Sequence, residues 1–232
     1  MIILALDTTT RAGSVAVADD DRVLAVVPGD PSRTHGERLP GEIAAALERA
    51  SVSRDRVDLL AVAAGPGAFT GLRIGLAAMQ GLAMTLGKPV AGVSALDALA
   101  AQVDTTDVDL IAPWMDAQRG DVFASLVDAR THRTVETPLT ASPAEVAERW
   151  ATLIGDRSVV FVGDAVSRDA ALIMAAGKGS WRTQPPGPLA PQIAAIGRRM
   201  AERGEAGMPH ALTPIYVRRP DAEIERERRG QP

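Results

Sequence analysis

The stretch Gly65-Pro66-Gly67-Ala68-Phe69-Thr70-Gly71-Leu72-Arg73-Ile74-Gly75 constrains this chain more than any other. An uninterrupted apolar run, residues 59–64, precedes it and predicts a buried strand of an α/β sheet. Beyond the Gly-Pro-Gly turn, Leu72, Leu76, Met79, Ala83 and Leu86 recur at helical spacing, and Thr70 is the expected N-cap. Strand, sharp turn, helix places this stretch where α/β sheets meet ligands and partners, beyond the carboxyl ends of the strands. Gly71, Gly75, Ala78 and Gly81 thread the helix with minimal side chains. Each helical Gly costs about 1 kcal/mol against Ala, a cost that a closely packed backbone offsets, either in the same domain or in a partner. The stretch is not a phosphate-cradling P-loop, because Gly65 and Gly71 stand one residue too far apart and Leu72-Arg73 replaces Lys-Ser/Thr.

These eleven residues closely resemble the signature of the TsaB (YeaZ) family, which usually has Ser at the position of Ala68. The remaining matches follow in order along the chain. Residues 2–6 predict a strand, Asp7-Thr8-Thr9-Thr10-Arg11-Ala12-Gly13 the turn after it, and residues 14–18 and 22–27 two further strands. The turn resembles the first phosphate loop of actin-like ATPases and sugar kinases, and it also reads as a plain hairpin turn whose Asp and Thr bond their own backbone. If the first reading applies, Asp7, Thr8, Thr9, Thr10 and Gly65 are the candidate nucleotide contacts. Leu39, Ile43, Ala46, Leu47 and Ala50 make one apolar helix face. His35, in His35-Gly36-Glu37 where the family commonly has His-Ser-Glu, reads as structural or partner-facing.

Residues 89–93 predict a strand, and Ser94-Ala95-Leu96-Asp97 a capping box that opens a helix. In TsaD, the catalytic relative of this family, the corresponding helix carries His-x-x-x-His and binds the metal. Two His at i and i+4 can grip one ion, yet the matching residues here are Ala95 and Leu99. His35, His132 and His210 are scattered without ligand spacing. Residues 110–127 repeat the pattern of apolar run, Asp, turn with Gly and strand, a degenerate second copy of residues 2–18 in which Asp116 and Arg119 read as a turn-stabilising pair. Ser142-Pro143-Ala144-Glu145 predicts a capped helix, residues 158–162 a buried strand, and residues 188–204 a helix stopped by Gly204. Trp150 and Trp181 are assigned to the core. Pro214-Ile215-Tyr216-Val217-Arg218 is similar to the family's closing Pro-x-Tyr-Leu-Arg, and the residues after Pro220 form a charged tail.

The resemblance implies an α/β fold of the actin-like (ASKHA, ribonuclease H-like) type, duplicated into two domains. The expected division is 1–103, 104–204, a return segment 205–219 and a disordered tail 220–232. Composition narrows the function. The net charge of −4 and the 3% aromatic content give no electrostatic or stacking basis for tight binding of nucleic acid. Without cysteine there is no disulfide, thiolate nucleophile or thiolate metal site. No apolar run approaches the ~20 residues of a membrane span, and the opening residues are too few for a signal peptide, so the cytoplasm is expected. No nucleophile, acid–base pair or metal set can be assembled.

The resemblance agrees with that absence. It implies a non-catalytic partner of TsaD in making threonylcarbamoyladenosine on transfer RNA. On this reading the chain pairs with and activates TsaD, the ATPase TsaE joins them, transfer RNA is reached only through the complex, and the chain alone self-associates as a homodimer. It would hold no cofactor or metal of its own, with ATP and metal on TsaD and TsaE. The expected interface is Leu39, Ile43 and Leu47 on one helix with Phe69, Gly71, Leu72, Ile74, Gly75 and Met79 on the next. The alternative from another class is an ATP-dependent kinase or ATPase of the actin-like fold.

Overall fold

Alternating and continuous apolar runs pair into two five-stranded sheets in the computed structural model, which describes residues 1–217. The first half runs β1 (Ile2–Asp7), β2 (Ser14–Asp19), β3 (Arg22–Pro28), α1 (His35–Arg49), β4 (Leu59–Gly65), α2 (Phe69–Leu86), β5 (Val90–Ser94) and α3 (Ala95–Ala100). The second runs β6 (Leu110–Asp116), β7 (Val122–Asp128), β8 (Thr134–Ala141), α4 (Pro143–Ile154), β9 (Val159–Val162), α5 (Val166–Ala176), β10 (Trp181–Gln184) and α6 (Ala190–Glu202). Element for element the halves match, and so do the strand orders, β3-β2-β1-β4-β5 and β8-β7-β6-β9-β10. The first three strands of each half are antiparallel neighbours, and the last two add in parallel. The duplication expected from residues 110–127 therefore extends through the whole of each half.

The pleat sorts residues by size. On β1, Leu4 and Leu6 face α1 and α2, while Ile3 and Ala5 face the opposite side. That opposite side is rich in alanine (Ala5, Ala16, Ala61, Ala63, Ala91) and receives α6 through Ala190, Ile193 and Ala194. Small residues let a helix lie close to a sheet. Helices α3 and α6 thus form a central layer between the two sheets, with α1 and α2 outside the first sheet and α4 and α5 outside the second. The sequence division at 204 assigns α6 to the second half, yet this helix packs on β1, β2 and β4 of the first sheet.

Local signals explain most element ends. Glu145 accepts both the N–H (3.0 Å) and the hydroxyl (2.7 Å) of Ser142, closing the expected box at α4. Ser94 Oγ accepts the Asp97 N–H at α3 (3.2 Å). Gly87, in the left-handed region at φ 64°, ends α2. At α2 the expectation fails, because the N-cap is Ala68 and Thr70 lies inside the helix, exposed. The Ala68 N–H is taken by the Thr9 carbonyl (2.9 Å), so the neighbouring turn fixes where the helix starts.

The core of the second half is aromatic. Trp114, Trp150 and Phe161 are fully buried, and Trp181 packs against Phe161 with ring centroids 5.0 Å apart. Trp114 donates its indole N–H to buried Asp169 (2.8 Å), whose carboxylate is gripped by Arg168 through Nε (2.8 Å) and a terminal nitrogen (2.9 Å). Asp169→Ala leaves a buried donor without a partner, a loss of about 2 kcal/mol. Thermal melting should fall by roughly 4–8 °C, and Asp169→Asn, which keeps an acceptor, should recover part of it.

Candidate functional site

Helices α1 and α2 lie side by side on the outer face of the first sheet, and their inner faces feed its core. Of the nine interface residues expected from sequence, Leu39, Leu47, Gly71, Leu72, Gly75 and Met79 are buried within the domain. Ile43 and Ile74 are partly exposed and Phe69 is exposed. The glycine thread is explained from inside as well. A Cβ at Gly71 would lie 2.2 Å from the Thr8 carbonyl oxygen, and one at Gly75 would lie 2.1 Å from Thr8 Oγ1. No side chain fits at either distance, so these glycines seat α2 on the β1–β2 turn and are not a seam for another molecule. Gly81 is different: a Cβ there would meet nothing within 4 Å.

Between the outward faces of the two helices runs an open apolar groove of about 590 Å³. Leu39, Ile43 and Leu47 line it from α1, Ala77, Ala78, Gly81 and Leu82 from α2, and Val52 and Arg54 close one end. Leu39 and Leu47 thus reach the groove as its floor. From sequence Ala78 and Gly81 belonged to the small-residue thread of α2, and Ala77 and Leu82 were not singled out, although the i, i+1, i+4, i+5 spacing of the four is a helix stripe.

At the start of α2 the segment around Ile215 closes over the turn. Ile215 donates its N–H to the Ala64 carbonyl (2.6 Å), and a Cβ at Gly65 (φ 119°) would lie 2.4 Å from the Ile215 carbonyl oxygen. Gln80 on α2 donates to the carbonyls of Pro209 (3.0 Å) and Leu212 (3.2 Å). Tyr216 stacks on Phe69 at 6.1 Å, and the Arg73 guanidinium lies 3.9 Å from the Phe69 ring centre. The return segment expected at 205–219 therefore lies against β5 and α2 as far as Val217. Arg218 and the tail 220–232 lie outside the described residues.

A second cavity, about 310 Å³, lies between the halves and includes Asp7, Thr10, Arg11, Gly13, Asp164 and Pro188 in its lining. Of the candidate nucleotide contacts only Asp7 and Thr10 line it. Thr8 and Thr9 are buried, and Gly65 is covered by Ile215. Asp7 Oδ1 accepts the Thr9 N–H (2.8 Å) and hydroxyl (2.6 Å), and Oδ2 accepts the Thr10 hydroxyl (3.0 Å). The Gly13 N–H is bonded to Thr10 Oγ1 (3.1 Å), and Arg11 donates Nε–H to the Pro31 carbonyl (3.2 Å). Burial pushes the Asp7 carboxyl up from its ordinary range, against the pull of the Thr9 and Thr10 bonds. Desolvation pushes Asp164 up too, and the carboxylates of Asp116 and Asp7 add to it. A phosphate site needs free N–H groups and positive charge. Here the Thr9 and Gly13 N–H groups are taken by side chains of the turn itself, the carboxyls of Asp7 and Asp164 line the cavity, and Arg11 is the basic residue in its lining.

The position where paired histidines would hold a metal is apolar. Ala95 and Leu99 are both fully buried in the central layer. Among the described residues no three His, Cys, Asp or Glu side chains are grouped to hold an ion. Asp116, at the turn that repeats Asp7, accepts from Arg168 (3.0 Å) and from the Gln118 N–H (3.0 Å), and its own N–H is bonded to Asp164 (3.0 Å).

Duplicated halves around a central helical layer give the chain an actin-like fold, with an apolar groove outside the first sheet and a smaller cavity between the halves. The model of the family described as TsaD, tRNA N6-adenosine threonylcarbamoyltransferase, matches residues 19–168. The Bacillus subtilis protein named tRNA threonylcarbamoyladenosine biosynthesis protein TsaB is 30% identical over 228 residues, covering 96% of both chains. The structure of YeaZ from Pseudomonas aeruginosa superposes with a TM-score of 0.75 at 27% identity, covering 93% of this chain and 99% of that one. The activator of the 2-hydroxyisocaproyl-CoA dehydratase from Clostridium difficile, solved with ADPNP, shares the fold alone, with a TM-score of 0.53 at 12% identity over 88% of this chain and 97% of its own. The chain belongs to the TsaB (YeaZ) family.

Proposed function

We propose that this chain is a non-catalytic subunit in the formation of threonylcarbamoyladenosine on transfer RNA, and that it acts in the cytoplasm by docking onto the transferase TsaD through the groove between α1 and α2. The groove carries the reading: it is apolar, exposed, and formed by helices whose inner faces are already satisfied by their own sheet. A helix pair of the partner laid into it would cover the apolar stripe. When the chain is alone, a second copy would cover it about a two-fold axis. The relatives' names supply the pathway, and the burial of Ala95 and Leu99 supports a chain without a metal of its own. TsaE joins the pair in this proposal, and transfer RNA is reached through TsaD, in keeping with the net charge of −4.

Two measurements test this. Titration calorimetry with purified TsaD should give a saturable 1:1 complex, and the absence of heat at micromolar concentrations would contradict the docking role. Purified chain incubated with Mg-ATP should release no phosphate above a buffer control. Turnover that scales with protein and is lost in Asp7→Asn would favour the kinase or ATPase alternative.

A further inference from the structure

The first turn of α1 contains a buried charge that neither the groove nor the cleft accounts for. Arg38 has a side chain only 3% exposed. One terminal nitrogen donates to Glu42 (2.5 Å), and the other points at the carbonyls of Ala12 and Arg11 in the β1–β2 turn. That second nitrogen also lies 2.8 Å from His35 Nδ1, while His35 Nε2 lies 3.1 Å from the Thr10 carbonyl. The fit is close on every side. A Cβ at Gly29 would meet the Arg38 guanidinium, and a Cβ at Gly71 of α2 would lie 3.1 Å from the His35 ring.

The hydrogen-bond chemistry fixes the imidazole. A carbonyl can only accept, so Nε2 carries the hydrogen, and a guanidinium can only donate, so Nδ1 is bare. We propose that His35 and Arg38 are positioning residues: a clasp, closed only around a neutral imidazole, that ties the turn 7–13 at the cleft to the helix α1 that lines the docking groove. A second proton could enter only at Nδ1, pointing at a guanidinium. The clasp would open, and α1 would lose its hold on the carbonyls of Thr10, Arg11 and Ala12. The effect on docking rests on the function proposed above; the clasp itself does not.

The charged groups acting on His35 are Arg38 and Glu42 from its own helix and Asp7 from the turn, and Gly71 of α2 packs against the ring. Burial holds the imidazole below its ordinary value, with Arg38 acting in the same direction, against the Thr10 bond and the carboxylates of Asp7 and Glu42. The sign follows. A depressed folded-state pKa makes the clasp's contribution complete above the ordinary histidine range, and that contribution is lost as pH falls through the folded value. Asp7, shifted upward, acts with the opposite sign, so the variant and the parent must be compared at each pH.

The chain has only three histidines, so their imidazole C–H signals can be followed by NMR and His35 assigned by its absence in His35→Gln. The full-length parent should show His35 titrating below the ordinary range. Its melting temperature should fall between pH 7.5 and 5.5 by about 2–4 °C more than that of His35→Gln, the scale of one ordinary hydrogen bond. Affinity for TsaD should weaken over the same window in the parent and not in the variant, a change that a purely structural histidine would not produce. Should His35→Gln fail to fold, Arg38→Met removes the guanidinium and should raise the His35 midpoint. Titration of His35 at or above the ordinary range, or parallel melting profiles for parent and His35→Gln, would overturn the clasp. Absence of TsaD binding at every pH would instead overturn the docking role, with the titration still deciding the clasp.

Discussion

A Gly81→Arg chain is expected to fold as the parent does and to lose its partner. Gly81 lies exposed on the groove side of α2, and nothing surrounds the position a Cβ would take. Arginine is a better helix former than glycine by close to 1 kcal/mol, so the melting temperature should hold or rise slightly. In the complex its guanidinium would enter an apolar contact and add to the positive charge of Arg54 at the groove's end. Desolvating an unpaired charge there should cost about 3 kcal/mol, a loss in affinity of roughly 100-fold. Calorimetry and melting together make the test. Unchanged affinity in a well-folded variant would move the docking surface elsewhere on the molecule.

Gly75→Leu should do the reverse and damage the fold itself. Its side chain would have to occupy space within 2.1 Å of Thr8 Oγ1, between α2 and the end of β1. Overpacking in a closed core costs typically 1–3 kcal/mol, and this site offers no cavity, so about 3 kcal/mol and a drop of roughly 6–12 °C are expected. Weaker partner binding in this variant would follow from the displaced helix. A Gly75→Leu chain that melts like the parent but no longer binds TsaD would show instead that the glycine faces outward.

The contrast between these two glycines marks the limit of what the sequence revealed. Helix α2 was legible from Leu72, Leu76, Met79 and Ala83, because a buried stripe repeats at helical spacing whatever it packs on. The opposite stripe, Ile74, Ala77, Ala78 and Leu82, is also apolar, so periodicity could not say which face carries Gly71 and Gly75. That depended on Thr8, more than sixty residues away in the chain and next to α2 only in three dimensions. The groove was half visible for the same reason, with Leu39, Ile43 and Leu47 found and Gly81 left among the helix glycines without a side to face. The start of α1 was not read, because the apolar face was followed only from Leu39; it is marked by the Thr34-x-x-Glu37 box, in which Glu37 accepts from the Thr34 N–H (3.0 Å) and hydroxyl (2.7 Å).

The second half was less legible. Strand β8 is an edge strand whose Thr, Glu and Pro138 resemble a loop, and β10 is four residues long at the opposite edge. Helix α5 starts from Ala165 without a side-chain cap, so no start signal marked it. The return of α6 to the first sheet was invisible because Ala190, Ile193 and Ala194 would suit any alanine-rich surface. In the cleft, residue types suggested a phosphate loop, but the side chains of Thr9 and Thr10 fold back onto Asp7. Composition cannot show which way a hydroxyl turns.

The most direct test of the docking role is transfer RNA modification rebuilt from purified TsaD, TsaE and the enzyme that makes threonylcarbamoyl-adenylate. The mixture should form threonylcarbamoyladenosine when this chain is added and fail to do so without it or with Gly81→Arg in its place. Equal product in all three mixtures would contradict a subunit that works by occupying the transferase through the α1–α2 groove.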